Sequence, residues 1–303
     1  SIGGVSEIVA TGFRSSNGMF VDGDDTIWAT DQEGHWHPQN RINRVRPGKF
    51  YGNLLGSYDW WNITESDEDM EQPLVWVPKS FENSPSEVFR FPEEGWGPLS
   101  GRLAYLSYAL GRIMMLPHES VSLENATVQG ATYRLPIPDF PTGIMRAETH
   151  PESGEVVVAG LFGWGSQRVQ DAGIYRMRPT DAPLHVPVEF ETAPGELTLT
   201  LSDPVSLSSA DPERFEARSY TIWRSRRYGA PLENETAIPV EDVELSEDRR
   251  TLTLHMPELA PTRILDLKYR LVTDEGEELE RHLTATIHAL DETGDEGAVA
   301  AGD

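Results

Sequence analysis

Residues 12–53 have the sequence GFRSSNGMFVDGDDTIWATDQEGHWHPQNRINRVRPGKFYGN. Short apolar runs at 19–21, 26–30 and 42–45 alternate with turns rich in Gly, Asp and Asn, a pattern typical of antiparallel β-sheet. The loop that follows Asp31 is longer than a β-hairpin needs, and long loops in compact domains are usually functional. The stretch therefore predicts three strands of one sheet and a candidate site in the loop between the last two.

Short strands with similar turns are predicted through the first 180 residues. They fall at 7–13, 74–77, 86–91, 102–107, 112–116, 130–135, 142–149, 155–159 and 173–177. Sets of about four strands that recur every ~40–50 residues indicate β-propeller blades. Residues 12–180 have room for only about three blades, and closed propellers have four to eight. The sequence therefore predicts a partial ring, completed by an N-terminal half outside this chain or by a partner chain.

The pattern changes near residues 180–183, where a Pro-containing linker precedes about 100 residues of cleanly alternating strands. The strands are predicted at 196–202, 219–224, 240–245, 251–256, 266–272 and 284–289. Such a series predicts an immunoglobulin-like or fibronectin-like β-sandwich. The last residues are acidic, rich in Gly and Ala and without aromatics, which is typical of a disordered tail. The fold class expected is therefore all-β, with propeller blades over 1–182, a sandwich over 183–290 and a tail over 291–303.

The charge balance limits the possible partners. Fifty acidic and 25 basic residues give a formal net charge of −25, which argues against nucleic acid or an anionic membrane as partner. No run approaches the ~18–20 apolar residues of a membrane span, and the lack of cysteine excludes disulfides and thiolate chemistry. The acidic excess suits a high-salt habitat, and the preference for Arg over Lys fits a GC-rich genome equally well.

The opening stretch resembles the soluble quinoprotein glucose dehydrogenases and sorbosone dehydrogenases, which are six-bladed propellers. The segments that carry the resemblance are Gly12-Phe13-Arg14, Asn17-Gly18-Met19-Phe20, Asp31-Gln32-Glu33-Gly34, Ile42-Asn43-x-Val45 and Pro47-Gly48-x-Phe50-Tyr51-Gly52. Weaker similarity continues to residue 180, so the match covers roughly the second half of such a propeller. The appended sandwich resembles a variant found in sorbosone-dehydrogenase-like proteins of environmental bacteria, and this implies a periplasmic or secreted location.

The resemblance implies a site for pyrroloquinoline quinone (PQQ) and a bridging Ca²⁺. Arg14, Ser15 and Arg146 fall on cofactor-contacting positions, and a guanidinium can form paired hydrogen bonds with a quinone carboxylate. Gln32 and Gly34 fall on the turn that supplies oxygen ligands to Ca²⁺. Two features depart from the family: its cofactor-contacting Lys is replaced near 107–111, and its catalytic His belongs to an earlier blade. The catalytic residues are therefore unassigned.

Three other patterns have more than one interpretation. His35 and His37 would share one face of a strand and could bind a metal, or they could belong to a surface loop or interface. Acidic residues at 22–25 form either a Ca²⁺ loop or a simple turn between strands. Arginines 224, 226 and 227 are expected to balance the acidic surface.

Two functions from different classes follow from these observations. The first is part of a PQQ- and Ca²⁺-dependent sugar or aldehyde dehydrogenase that is not catalytic by itself. The second is a non-catalytic propeller and sandwich subunit that binds a partner protein or a glycan. A propeller ancestry does not decide between them, since one fold supports many functions.

Overall fold

The computed structural model describes residues 4, 6–54, 70–163 and 170–290, so the predicted tail at 291–303 lies outside the described residues. Within these ranges the chain is all-β, as expected, and its regular structure consists of twenty strands and three short 3₁₀ turns. The 3₁₀ turns are Gly97–Leu99, Leu207–Ser209 and Pro212–Arg214. No helix in the described part of the chain is long and apolar enough to cross a membrane.

The first sheet is an antiparallel meander of four strands in sequence order. Its strands are β1 (Met19–Val21), β2 (Ile27–Asp31), β3 (Asn40–Val45) and β4 (Val75–Val77). The turn between β1 and β2 contains Asp25 at φ 63°, and the Asp22 carboxylate is bonded to Arg90 rather than arranged as a cation loop. The three strands predicted from the opening stretch are present, and β4 adds the strand predicted at 74–77.

The second meander follows the same order, with a hairpin added at its last strand. It consists of β5 (Pro85–Arg90), β6 (Leu103–Ser107), β7 (Arg112–Met115), β8 (His118–Leu123) and β9 (Ala126–Arg134). A third sheet of three strands contains β10 (Arg146–Thr149), β11 (Val156–Leu161) and β12 (Ala172–Met177). The first strands of the meanders lie side by side, since β5 contacts both β1 and β10.

The last eight strands form two facing sheets. They are β13 (Pro187–Ala193), β14 (Glu196–Leu201), β15 (Phe215–Thr221), β16 (Glu233–Ile238), β17 (Asp242–Leu245), β18 (Thr251–His255), β19 (Thr262–Val272) and β20 (Glu278–Ile287). One sheet has the order β13-β14-β18-β17, and the other has β16-β15-β19-β20. The alternating Leu residues of β14 and β18 are buried against Leu265, Leu267 and Leu283 of the facing sheet, because every second side chain of a strand points to the same side.

The two halves of the chain share one continuous sheet. Strand β20 pairs antiparallel with β9, in a register that places Leu283 opposite Tyr133, so nine strands run across the boundary predicted near residue 182. The free edge of β9 would otherwise present unpaired backbone groups, and β20 covers it. The sequence contains no signal for this pairing, because the two strands are 150 residues apart and each has an apolar pattern of its own. None of the described sheets closes into a ring.

Several strand predictions differ from the structure. The strand predicted at 7–13 is wrong: Thr11 makes only an isolated bridge to Phe50, and Gly12 turns the chain with φ 82°. Strands β8, β13 and β16 were missed. Strand β16 pairs only with β15 at a sheet edge and leaves five of its six residues exposed, so it lacks the apolar alternation that identifies a half-buried strand.

Candidate functional site

Three loops meet at one end of the first two sheets. The β2–β3 connection, residues 32–39, reaches the β4–β5 connection through Gln32, whose Nε2 donates to Ser84 Oγ over 2.8 Å. Asn40, the first residue of β3, donates from Nδ2 to the carbonyl of Glu82 over 2.7 Å. The turn before β1 completes the group, since its backbone is bonded to the end of β2. The loop predicted to carry a site is therefore the centre of this cluster.

Asp31 fixes the shape of the loop cluster. Its buried carboxylate accepts the backbone N–H groups of Arg14 at 2.8 Å, Ser15 at 2.6 Å and Gln32 at 3.0 Å. Burial raises the pKa of this carboxyl, and the three amides and the Arg41 guanidinium oppose the rise without cancelling it. The carboxylate thus positions three of the predicted site residues, Arg14, Ser15 and Gln32, through their backbones. The sequence signal for this role was its position as an acidic residue at the end of an apolar strand.

Four of the five predicted site residues lie together. The Nη1 atom of Arg14 donates to Gln32 Oε1 over 3.2 Å, and the Arg14 guanidinium lies 5.2 Å from the ring centroid of Tyr228. A Cβ at Gly34 would lie 2.6 Å from Arg14 Cγ, so glycine at this position leaves room for the arginine. Ser15 joins them through Asp31.

Arg146 lies apart from this group, on the third sheet. It is half-exposed, its Nε lies 3.8 Å from Glu87 Oε1, and its Nη1 donates to the neighbouring Met145 carbonyl. Glu87 packs against the turn before β1, since a Cβ at Gly18 would lie 2.2 Å from Glu87 Cα. Glu87 therefore lies between Arg146 and the turn that carries Arg14. The polar contacts of Arg146 are with Glu87 and Met145.

A segment from the second half of the chain covers the loop cluster. The β15–β16 connection, residues 222–232, forms a two-way backbone ladder with the β2–β3 connection. Trp36 N donates to the Ser225 carbonyl over 2.8 Å, and Gly229 N donates to the Gly34 carbonyl over 3.0 Å. Gln39 Nε2 donates to the Ala230 carbonyl. We call residues 222–232 the covering loop.

Arg224 anchors the covering loop and does not merely balance surface charge. It is part-buried, and its guanidinium donates to the backbone carbonyls of Trp36 at 3.0 Å and Gly52 at 2.6 Å. The same group lies 5.6 Å from the Trp36 ring and 5.7 Å from the Phe50 ring. The expectation for this arginine is therefore wrong, because its side chain turns inward onto the first sheet.

The two histidines of the β2–β3 connection do not share a face. His37 is buried, with Nδ1 3.8 Å from Asp31 Oδ2 and its ring edge-on to Trp76, whereas His35 is exposed against Tyr228. The residue between them, Trp36, has φ 61°, which breaks the period of two that an extended strand would impose. Among the described residues no group of three or more His, Cys, Asp or Glu side chains is arranged to hold a metal ion.

A buried arginine beneath the cluster was missed by sequence reasoning. Arg41 is fully buried and donates to Asn43 Oδ1 and to the carbonyls of Tyr51 and Glu71. Its guanidinium also lies 4.8 Å from the Trp76 ring. Burial lowers its pKa to about 10, so it stays charged at neutral pH. The only sequence feature that could have indicated its burial is its position next to the apolar Ile42 in β3, an inner strand of the sheet.

No protein-family model, no curated protein and no solved structure matches this chain. The quinoprotein resemblance therefore stays a prediction that rests on the motif residues.

The loop cluster in this conformation does not fit a PQQ–Ca²⁺ site. The two predicted Ca²⁺ ligands already accept hydrogen bonds: Gln32 Oε1 from the Arg14 guanidinium, and the Gly34 carbonyl from Gly229 N. A cation at Gln32 would lie next to the positive charge of Arg14, which is unfavourable at so short a distance. Tyr228 of the covering loop lies over the guanidinium that was predicted to bind the quinone. The cofactor assignments remain predictions, and no chemical step is derived from them.

Three neutral histidines, one buried and two part-buried, predict acid sensitivity. Burial lowers the pKa values of His37, His118 and His288, that of His288 to about 4. Each folded-state pKa lies below the ordinary 6.5, so the unfolded chain binds protons first as the pH falls. Their contribution to stability is complete above pH 6.5 and is lost below it, by up to ~1.4 kcal/mol per pH unit for each imidazole.

Urea denaturation followed by tryptophan fluorescence between pH 7.5 and 4.5 measures this effect. His288→Gln keeps a donor for the Pro73 carbonyl, which His288 Nε2 contacts at 2.7 Å, and removes one titrating group. The variant is expected to show a shallower loss of stability below pH 6.5. If the variant loses stability below pH 6.5 as steeply as the wild type, His288 does not contribute to the acid sensitivity.

Proposed function

We propose that this chain is a non-catalytic binding subunit, built from propeller-like blades and an immunoglobulin-like sandwich, that binds a partner protein or a glycan. The observation that carries the proposal is the covering loop, which contacts residues that were predicted to bind the cofactor and its Ca²⁺. Its backbone bond to Gly34 and the contact of Tyr228 with Arg14 use the groups that the dehydrogenase hypothesis needs. In such a binding subunit, the contacts between the loop cluster and the covering loop keep the two halves of the chain in a fixed relative position.

The covering loop also presents a binding face. Trp223 is 57% exposed and Tyr228 is 51% exposed, although the backbone around them is tied to the β2–β3 connection. Large aromatic side chains on a fixed backbone lose little entropy on binding, and they are enriched at protein interfaces. Their flat apolar faces can also stack on a sugar ring. These two residues are the proposed centre of the partner or glycan contact.

The open ends of the sheet series support additional blades in the assembly. Ile8 near the start is 80% exposed, and Ile174 on β12 is 78% exposed. Apolar side chains exposed in this way at both ends of a series of stacked sheets suit further packing. The proposed occupants are the missing blades of a ring, from sequence outside this chain or from a partner chain.

Titration of the chain with PQQ in the presence of Ca²⁺ tests the non-catalytic assignment. The expected result is no binding heat in a calorimeter and no sugar-dependent dye reduction, with a soluble quinoprotein glucose dehydrogenase as the positive control. Saturable PQQ binding that Arg14→Ala abolishes, together with turnover, would instead establish the dehydrogenase.

The dehydrogenase remains the second candidate for one reason. Arg14, Ser15, Gln32 and Gly34, which were chosen by resemblance alone, do lie together in one turn cluster. Arg224→Ala separates the two candidates, because it removes the side-chain anchor of the covering loop. If the chain is a dehydrogenase whose site is only shielded, this variant gains PQQ binding. If it is a binding subunit, the variant gains none.

A further inference from the structure

A large cavity lies between the second meander and the two facing sheets. Its volume is about 550 Å³, within the range of ~300–1,000 Å³ that small-molecule sites occupy. Its walls come from the β5–β6 connection, the end of β9 and residues 177–184, the segment that joins the two halves of the chain. Ligand sites occur preferentially at such junctions, and neither the dehydrogenase nor the binding-subunit hypothesis uses this one.

Most of the wall is apolar. Phe91 and Trp96 lie with their ring centroids 4.9 Å apart, and Leu99 and Leu135 extend the same surface. These four side chains belong to the buried core, and Trp96 is fixed by a hydrogen bond from Nε1 to the Gly154 carbonyl. The cavity is therefore bounded by rigid packed groups, and an apolar body that entered it would remove this surface from water.

Asp203 lines the cavity, and only one of its two carboxylate oxygens accepts hydrogen bonds from the described residues. Asp203 accepts three hydrogen bonds on Oδ2 alone, from Leu184 N at 2.8 Å, His185 N at 3.0 Å and Ser202 Oγ at 2.7 Å. Its Oδ1 has no hydrogen-bond donor in the part of the chain that the structure describes. Burial raises the pKa of this carboxyl, but the hydroxyl and the two amides outweigh burial and hold it below its usual value. Asp203 is therefore ionised and fixed in position.

The cation in the wall does not neutralise Asp203. Arg178 donates from Nε to Glu155 Oε1, and Arg176 joins the same carboxylate. Asp181 adds a second acidic side chain to the lining. The three charged residues of the lining, Arg178, Asp181 and Asp203, carry a formal net charge of −1, which a single cation complements.

We propose that this cavity binds a small cationic amphiphile, with an aliphatic or aromatic body against Phe91, Trp96 and Leu135 and an amine or ammonium head at Asp203. An ammonium group can donate to the free Oδ1, and a charge-assisted bond of this kind is stronger than a neutral one. The aromatic rings favour a cation over an anion on their faces as well. The site is separate from the loop cluster, so the inference does not depend on the proposed function.

A matched series of eight-carbon probes tests the proposal by calorimetry at pH 7.5. Octylamine is cationic, octanol is neutral and octanoate is anionic, and all three have the same apolar body. Octylamine is expected to bind about tenfold or more tightly than octanol, since it alone gains the charged hydrogen bond, and octanoate is expected not to bind. Binding of all three with equal affinity, or of none at millimolar concentration, would overturn the assignment.

Two variants and a control locate the binding. Asp203→Asn keeps an acceptor for the three donors on Oδ2 and removes the charge, so octylamine should fall to the affinity of octanol. Ile137→Trp fills the cavity and should weaken both probes. Asp22→Asn removes an ionised carboxylate that does not line the cavity and should leave both affinities unchanged. Octylamine binding that Asp203→Asn leaves intact would overturn the proposal.

Discussion

Replacing Arg41 with alanine is expected to lower the free energy of unfolding by several kcal/mol, since each buried acceptor left unsatisfied costs about 1–3 kcal/mol. The guanidinium donates hydrogen bonds to Asn43 Oδ1 and to the carbonyls of Tyr51 and Glu71. Alanine would leave these three buried acceptors without that donor. The change would also open a cavity beside Trp76, whose ring packs on the guanidinium.

Urea denaturation at pH 7.5 measures the loss, and Arg41→Lys is the matched control. Lysine keeps the charge but has a single nitrogen, which cannot reach three acceptors arranged around a planar fork. The control is expected to fall between wild type and Arg41→Ala. If both variants lose less than ~1 kcal/mol, the value typical of a single hydrogen bond, Arg41 does not organise the region beneath the loop cluster.

Replacing Glu82 with glutamine is expected to stabilise the protein at pH 8. Burial raises the pKa of Glu82 from 4.5 to about 7, and the Ser107 hydroxyl and the Ser84 amide oppose the rise only in part. One unit of pKa corresponds to ~1.4 kcal/mol, so the ionised form costs roughly 3 kcal/mol above pH 7. Glutamine has the same shape and no charge, and its Oε1 can still accept from Ser84 N.

The pH dependence of stability expected from Glu82 has the opposite sign to that expected from the histidines. The folded-state pKa of Glu82 lies above the unfolded value, so its contribution to stability is complete below pH 4.5 and is lost as the pH rises to about 7. The gain from Glu82→Gln should therefore be largest at pH 8 and vanish near pH 4. Glu155→Gln, which changes a part-buried carboxylate paired with two arginines and with a lowered pKa, should give no such gain. A gain of equal size at both pH values would contradict the burial of an ionisable group.

The sequence predicted local structure well where one strand face is buried. The alternation of β14 and β18 gave these strands to within a residue or so at each end, because every second side chain must reach the core. Polar edge strands such as β16 have no such requirement and were missed. The grouping of Arg14, Gln32 and Gly34 was implied by the quinoprotein resemblance alone. In the structure, the pairing of β1 with β2 brings together the two turns that carry these residues.

Pattern reasoning failed for inward-facing polar side chains. Arg224 was expected to balance surface charge, yet it anchors the covering loop. Arg41 was not singled out, yet it is fully buried. Their partners are mainly backbone carbonyls, and a carbonyl leaves no trace in a sequence because every residue has one.

The opening stretch, residues 12–53, determined by itself that the chain begins as an antiparallel meander with its polar loop after Asp31. Only the tertiary structure shows which segment of the chain packs on that loop. The covering loop is about 190 residues further along the chain, and it reaches the Gly34 carbonyl because β20 joins β9 and brings the two halves together. Contacts of this kind depend on the register between distant strands, whereas a sequence pattern reports only the burial of each strand taken separately.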